Sequence, residues 1–341
     1  MRLDSPLLVL LLVLGACGGD DDTGVAATAA DTDTDTDADA DADADSDADA
    51  DADADADTDT DADTDTDVNA DPDVDSYVPD GYRATDPVRV IYLGDSITAG
   101  VGATTSNGAY PSLLVENDAL MWPESDALDL ETLFPGLDEV IDVSQGGATL
   151  PSLVSSQLPA LDAQIGGSVS GESLVVMTIG GNDLQFAMLD LLASPDRDAA
   201  AAALIDEVTG EFDEIVDFFE DPGRFPDGAY IYIANVYDPT DGEGQADGCF
   251  LGFDLSFLWP YFDDANNAFR TFAEERGVAM IDMRGHFLGH GMNYDDSGIS
   301  HYDPDDNTLW FSGDCIHPND RGHHEVRRLF HAAIDGVPLP L

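Results

Sequence analysis

Val88-Arg89-Val90-Ile91-Tyr92-Leu93-Gly94-Asp95-Ser96-Ile97-Thr98-Ala99-Gly100 is the stretch that decides how the rest of the chain is read. The mostly apolar run from Val88 to Leu93 has the length and the Val, Ile and Tyr content of a strand, and it stops at a glycine. An acid, a serine and a Thr/Ala/Gly-rich segment follow, which open a loop or a helix. A serine at the carboxyl end of a parallel strand lies where open α/β sheets place their ligands. Read alone, Gly94-Asp95-Ser96 is equally a strand-exit turn in which Asp95 or Ser96 caps a helix.

Outward from that turn the chain alternates strand and helix patterns. A short helix is expected from Tyr110 to Asp118, then an irregular connection over 120–137. A second strand, Glu139 to Val143, ends at Ser144-Gln145-Gly146-Gly147-Ala148, and a helix follows from Pro151 to Gln164. The third strand, Leu174 to Ile179, is closed by Gly180-Gly181-Asn182-Asp183. Helical periodicity then covers Leu184–Leu192 and Asp198–Phe219, the latter with Leu204, Ile205, Val208, Phe212, Ile215 and Phe219 on one side. A fourth strand, Ala229 to Ala234, leads into a loop-rich insertion over 235–260, a helix from Asp263 to Arg276 and a fifth strand from Val278 to Asp282. A polar loop and a helix from about Asn319 to Ala333 complete the pattern. Five β/α alternations predict a three-layer α/β/α fold around a five-stranded parallel sheet, with the strand-end turns gathered on one edge.

The region before this domain has a different character. Residues 1–16 carry Arg2, an apolar run from Leu7 to Leu14 and then small residues, the layout of a secretory signal too short to span a bilayer as a mature helix. Leu14-Gly15-Ala16-Cys17 resembles the lipobox of bacterial lipoproteins. That resemblance implies cleavage before Cys17 and lipidation there, hence attachment to the cell envelope at the outer membrane or cell surface. Cleavage near Ala16 as an ordinary signal peptide, giving a secreted protein, is the alternative. Residues 17–76 then read as a linker of Asp-Ala and Asp-Thr alternation without lysine or arginine. Its like charges repel, and nothing apolar is large enough to offset the entropy of ordering, so it is expected to be disordered and extended. Its upper reach is on the order of 180 Å at about 3.3 Å per residue. Specific calcium binding there is not expected, because the glycine turns of folded calcium loops are missing. The folded domain is thus assigned to 77–341.

Charge narrows the partners. The net charge is −61, and the region from Tyr77 onward alone holds 46 acids against ten arginines, with no lysine in the chain. This charge argues strongly against nucleic acid or anionic lipid as a partner of the domain. A Walker-type phosphate loop at Gly94–Gly100 is excluded by the missing lysine. With Cys17 assigned to lipid, Cys249 and Cys315 remain as a possible disulfide, which suits an exported protein.

The chemistry-bearing partner of Ser96 lies far downstream, in Asp314-Cys315-Ile316-His317-Pro318. An imidazole that takes a proton from a serine needs a carboxylate on its other nitrogen, and Asp314 and His317, three apart on a turn before a helix, supply one. The Asn182 amide, the Gly147 N–H and the Ser96 N–H are candidate donors to a developing oxyanion. Individually, each of these residues is explained by turns and caps; in order, and at successive strand ends, they form a set.

That set resembles the four blocks of the SGNH (GDSL-type) hydrolase family: Gly94-Asp95-Ser96, the glycine of Gly146-Gly147-Ala148, Gly180-Gly181-Asn182-Asp183 and Asp314-Cys315-Ile316-His317. The resemblance covers the region from Val88 to the C-terminal helix and implies a flavodoxin-like SGNH fold. It implies Ser96 as nucleophile, His317 as base and then acid, Asp314 as its orienting partner, and an oxyanion hole of Ser96 N–H, Gly147 N–H and Asn182. Gly147 is preferred to Gly146 because Thr149 lies two places after it. Ile97 stands where similar proteins have leucine.

The remaining histidines lack metal-site spacing. His286, His290 and His301 lie among Asp295, Asp296, Asp303, Asp305 and Asp306, but Gly285 and Gly289 argue against a helix that would pair the first two. His323 and His324 are expected at the surface or cap region of the last helix. The insertion places Phe250, Phe253, Phe257, Leu258 and Trp259 near the same edge, either as a wall for an acyl group or alcohol or as packing onto the core. The expectation is a monomeric, cofactor-free and metal-free serine esterase acting on lipid, acyl or O-acetyl esters. The alternatives are a polysaccharide O-deacetylase, or a non-catalytic surface lipoprotein using the fold for glycan binding.

Overall fold

The computed structural model describes residues 76–125, 127–245, Cys249 and 254–337. The signal segment, Cys17, the linker up to residue 75, Phe250 and Phe253 lie outside the described residues.

One sheet organises the domain. Its strands are β1 (Pro87–Gly94), β2 (Glu139–Asp142), β3 (Glu172–Thr178), β4 (Ala229–Ala234) and β5 (Ala279–Ile281), in the order β2-β1-β3-β4-β5 with every neighbouring pair parallel. This is the flavodoxin-like order, and the winding reverses between β1 and β3. Side chains alternate across the sheet: Ile91, Leu93, Val175 and Met177 enter one core, while Val90, Tyr92, Leu174 and Val176 enter the other. Both faces being covered is why the central strands read as nearly continuous apolar runs. Arg89 is the exception, buried but satisfied by Glu139 at 2.8 Å, Ser173 Oγ at 2.9 Å and the Ser170 carbonyl at 2.7 Å.

Helices form the outer layers. On one face lie Leu158–Ile165, Arg197–Glu220 and Trp259–Arg276; Val208, Phe212, Ile215 and Phe219 of the second put one stripe into the core at helical spacing. On the other lie Tyr110–Val115 and Asp320–Asp335, which bury Tyr110, Leu114, Val326, Phe330 and Ile334. The Asn319 side chain caps the last helix by accepting from Gly322 N–H at 3.0 Å, and its amide donates to the Leu309 and Phe311 carbonyls. One residue therefore starts the helix and ties down the loop that carries His317.

Several elements depart from the sequence expectation. The 120–137 connection contains a short helix, Leu130–Leu133, capped by Asp129. The helix expected over 151–164 runs from Leu150 to Ile165 but passes through a π turn at Leu153–Gln157. Pro159 cannot donate to the carbonyl four residues back, and its ring crowds that carbonyl, so the regular ladder widens just before it. The helix expected from Asp263 begins at Trp259, since Pro260 is tolerated in a first turn. A one-turn helix, Met283–Phe287, lies at the start of the expected polar loop but stops before Gly289 and His290, so it does not pair His286 with His290; the Asp282 side chain caps it by accepting from Gly285 N–H at 3.0 Å.

Candidate active site

Ser96 follows the end of β1 at the point where the winding reverses. Gly94 pairs with Thr178 of β3 and has φ +126°; a Cβ there would lie 2.1 Å from the Thr178 carbonyl oxygen. Glycine is therefore required, and the two strand ends can close on each other. Asp95 N–H donates to that same carbonyl at 3.0 Å, and Asp95 Oδ1 accepts from Ile97 N–H and the Thr178 hydroxyl, each at 3.0 Å. Burial pushes the Asp95 carboxyl up to about 6, against the lowering effect of those hydrogen bonds. Gln157, from the π turn, brackets Gly94: its Oε1 accepts from Gly94 N–H at 2.9 Å and its amide donates to Gly94 O at 2.8 Å.

His317 reaches Ser96 from the opposite end of the chain. Its Nε2 is 2.8 Å from Ser96 Oγ and its Nδ1 is 2.6 Å from Asp314 Oδ2. The ring is almost wholly buried, whereas the Asp314 side chain is 45% exposed. Partial burial opposes ionisation of Asp314. Hydrogen bonds from the His317 ring and backbone N–H, the Ser312 hydroxyl and Ile316 N–H outweigh that and hold its carboxyl well below the usual range. Cys315, inside this turn, has φ +65°, and it is disulfide-bonded to Cys249 with Cα atoms 5.9 Å apart. The Tyr237 hydroxyl donates to the Ile316 carbonyl at 2.5 Å.

The segment after Ser96 is fastened to the last helix. Gly102 lies so close that a Cβ would stand 2.1 Å from the Pro318 carbonyl oxygen. His323 Nε2 donates to Val101 O at 3.0 Å, its Nδ1 accepts from Tyr110 N–H at 3.3 Å, and Asp320 Oδ1 accepts from Thr104 N–H at 2.7 Å. His323 and His324 lie near the start of the last helix, as expected, but are buried rather than at the surface. Burial pushes the His323 imidazole down to about 4, so it is neutral and able to donate and accept at once.

The turns after β2 and β3 are bound to each other and to β1. Gln145 N–H donates to Gly94 O at 3.0 Å, the Asn182 amide donates to Ala148 O at 2.8 Å, and Leu150 N–H lies 3.1 Å from both Asp183 oxygens. Gly147 has φ +76°. Among the described residues the backbone N–H groups of Ser96 and Gly147 have no acceptor, and the Asn182 amide keeps a second N–H beyond the one given to Ala148. Ser96 and Asn182 line one cavity of about 50 Å³, together with Thr178, Val236 and Tyr237.

His286 pairs with buried Glu325 at 3.0 Å, and His290 stacks on Trp310 with ring centroids 3.6 Å apart. Among the described residues neither shares a hydrogen bond or ion pair with Ser96. Gln157, Asp183, Asp320 and His323 form a scaffold whose contacts sequence reasoning missed, although Asp183 stands in one of the quoted blocks and His323 on the expected last helix. Their partners lie 63, 33, 216 and 213 residues away in the chain, so no local pattern marks them.

The fold is a three-layer α/β/α sandwich of flavodoxin-like strand order, the class to which GDSL/SGNH hydrolases belong. Residues 92–325 match the model of the GDSL-like Lipase/Acylhydrolase family, and the chain belongs to that family. It is a carboxylic ester hydrolase. Among solved structures it is similar to an extracellular lipase from Streptomyces rimosus, at 18% identity over 74% of this chain and 100% of that one, TM-score 0.47. It is also similar to an acetylxylan esterase from Geobacillus stearothermophilus, at 17% identity over 76% and 100%, TM-score 0.45. A lipase from a goat rumen metagenome is similar at 15% identity over 72% and 97%, TM-score 0.48. A comparison with curated proteins returned no match.

Proposed function

We propose that the protein hydrolyses carboxylic esters through an acyl-serine intermediate, with Ser96 as nucleophile, His317 as general base and then general acid, and Asp314 as the group that orients the imidazole. The observation that carries this reading is the single line from Ser96 Oγ through both His317 nitrogens to Asp314, at 2.8 and 2.6 Å. In it, Asp314 holds the proton on Nδ1, which leaves Nε2 free to accept from the serine. As Oγ attacks the ester carbonyl, the proton passes to Nε2 and negative charge gathers on the carbonyl oxygen. Ser96 N–H, Gly147 N–H and the second Asn182 N–H receive that charge. His317 then returns the proton to the departing alcohol, and water repeats the sequence to release the acid. The low position of the Asp314 carboxyl suits a group that stays ionised throughout.

In this reading the enzyme is exported and held by lipid on Cys17 at the cell envelope, the acidic linker carrying it away from the surface. The test is turnover of p-nitrophenyl esters by the wild type, Ser96→Ala and Asn182→Ala. Ser96→Ala is expected to abolish turnover, and Asn182→Ala to lower kcat by about 10²–10³ with little change in KM. Turnover surviving in purified Ser96→Ala would refute the proposal.

A further inference from the structure

A second cavity, of about 90 Å³, lies beside the one lined by Ser96, and the two share Gly181, Val236 and Tyr237 in their walls. The rest of its wall is largely apolar: Leu184 and Met188 from the helix Gly181–Ala193, Leu255 from the insertion, Trp259 and Phe262 from the next helix, and Ile316 beside His317. The polar groups on it are mostly engaged elsewhere. Tyr237 donates its hydroxyl to Ile316 O, and Asp238 accepts from Thr240 N–H and hydroxyl at 2.7 Å, from Gly242 N–H at 2.8 Å and from the Trp259 indole N–H. Among the described residues, Gln185 is the remaining polar side chain. Such a wall has little to offer a sugar hydroxyl and much to offer an alkyl chain.

The chemistry at Ser96 selects what enters it. At a tetrahedral carbon on Ser96 Oγ, one substituent faces the N–H donors, and the leaving oxygen faces the His317 Nε2 that protonates it. The acyl chain takes the remaining side, and the walls that the Ser96-lined cavity shares with its apolar neighbour are Gly181, Val236 and Tyr237. We infer that the apolar cavity receives the acyl chain and that Trp259 sets its length, making the enzyme selective for esters of short aliphatic acids over both acetate and long-chain lipids; this rests on the Ser96 reading above. A cavity of ~150 Å³ accommodates the six carbons of benzene, so about 90 Å³ takes roughly four. Trp259 is fixed for that role by its indole N–H on Asp238 and by stacking on Phe262, with centroids 5.6 Å apart. Met188, Leu255 and Trp259 also pack on a satellite cluster of Leu191, Ala201 and Leu258, so the wall is braced from behind.

The experiment measures kcat/KM for p-nitrophenyl esters from acetate to dodecanoate with wild type, Trp259→Ala and Leu255→Trp, beside acetate esters of alcohols of the same lengths. Wild type is expected to gain about 4-fold per methylene between acetate and butanoate, to peak at four to six carbons and to fall beyond. Trp259→Ala is expected to move the peak to longer acids, and Leu255→Trp to move it toward acetate. Ratios between substrates within one variant do not depend on the fraction folded, so a poorly folding variant still reports. A flat profile, a peak at acetate, a peak unmoved in both variants, or a preference that follows the alcohol chain would overturn the inference while leaving Ser96-dependent hydrolysis standing. Absence of any Ser96-dependent hydrolysis would overturn the underlying reading and the inference with it.

Discussion

Gly94 has no side chain, yet the Ser96 turn depends on how it is held. The Gln157 amide bonds both its N–H and its carbonyl, and Gln145 N–H shares the carbonyl. Gln157→Leu keeps the bulk but leaves a buried N–H without an acceptor, which costs about 1–3 kcal/mol. Urea denaturation should show that loss together with a fall in kcat; a stable variant of unchanged kcat would remove Gln157 from the account. Ser96, Asp314 and His317 were legible in the sequence because each stands in a short local pattern, a strand exit or a turn before a helix. Gln157 was not, because its contact depends on a π turn packing against a strand end 63 residues earlier. His323 was misread for a related reason: sequence alone cannot show that the segment after Ser96 folds over the first turn of the last helix.

The elements divide into those that set the edge of the sheet and those that press the turns together. Asp183, in the first turn of the helix Gly181–Ala193, bonds Leu150 N–H and so couples the turns after β2 and β3. Burial pushes its carboxyl up to about 7 from an ordinary value near 4. A raised carboxyl binds a proton more tightly folded than unfolded, so its contribution falls as pH climbs from about 4 to 7 and is level above. Asp183→Asn keeps the acceptor without the titration, so its melting temperature should gain on wild type across that window; a constant difference would contradict the assignment. The disulfide acts on another turn. Cys249–Cys315 closes a loop of 66 residues next to His317, worth about 4 kcal/mol by chain entropy, and it braces the positive φ at Cys315. Paired Cys249→Ser and Cys315→Ser changes should lower the melting temperature and reduce kcat more than they raise KM. Strand and helix identities were legible from apolar periodicity. The helix over 283–287 was not, since the Asp282 cap and the surrounding packing override the helix cost of one glycine.

Seen whole, the domain combines a two-sided apolar core with a strongly acidic exterior. Its charge of −36 over 77–341 is self-repulsive, and ten arginines cannot neutralise it. Raising ionic strength from about 0.1 to 1 M shortens the screening length from about 10 to 3 Å. The melting temperature should therefore rise with sodium chloride; one indifferent to salt would show that the acids are already compensated within the fold. The α/β/α class was legible because a parallel sheet covered on both faces must be written as apolar runs separated by amphipathic helices. The gathering of the strand-end turns on one edge was expected from the β/α alternation; what sequence could not supply was the set of bonds between distant residues, such as Gln157 to Gly94 and Asp183 to Leu150, that holds them together. The most direct test of that convergence is to quench wild type, Ser96→Ala and His317→Ala with p-nitrophenyl butanoate in the first turnovers and map the acyl group by peptide mass. The account predicts a butanoyl adduct on Ser96 in wild type, none in Ser96→Ala and strongly slowed formation in His317→Ala. An adduct on another residue, or one formed at the wild-type rate without His317, would contradict it.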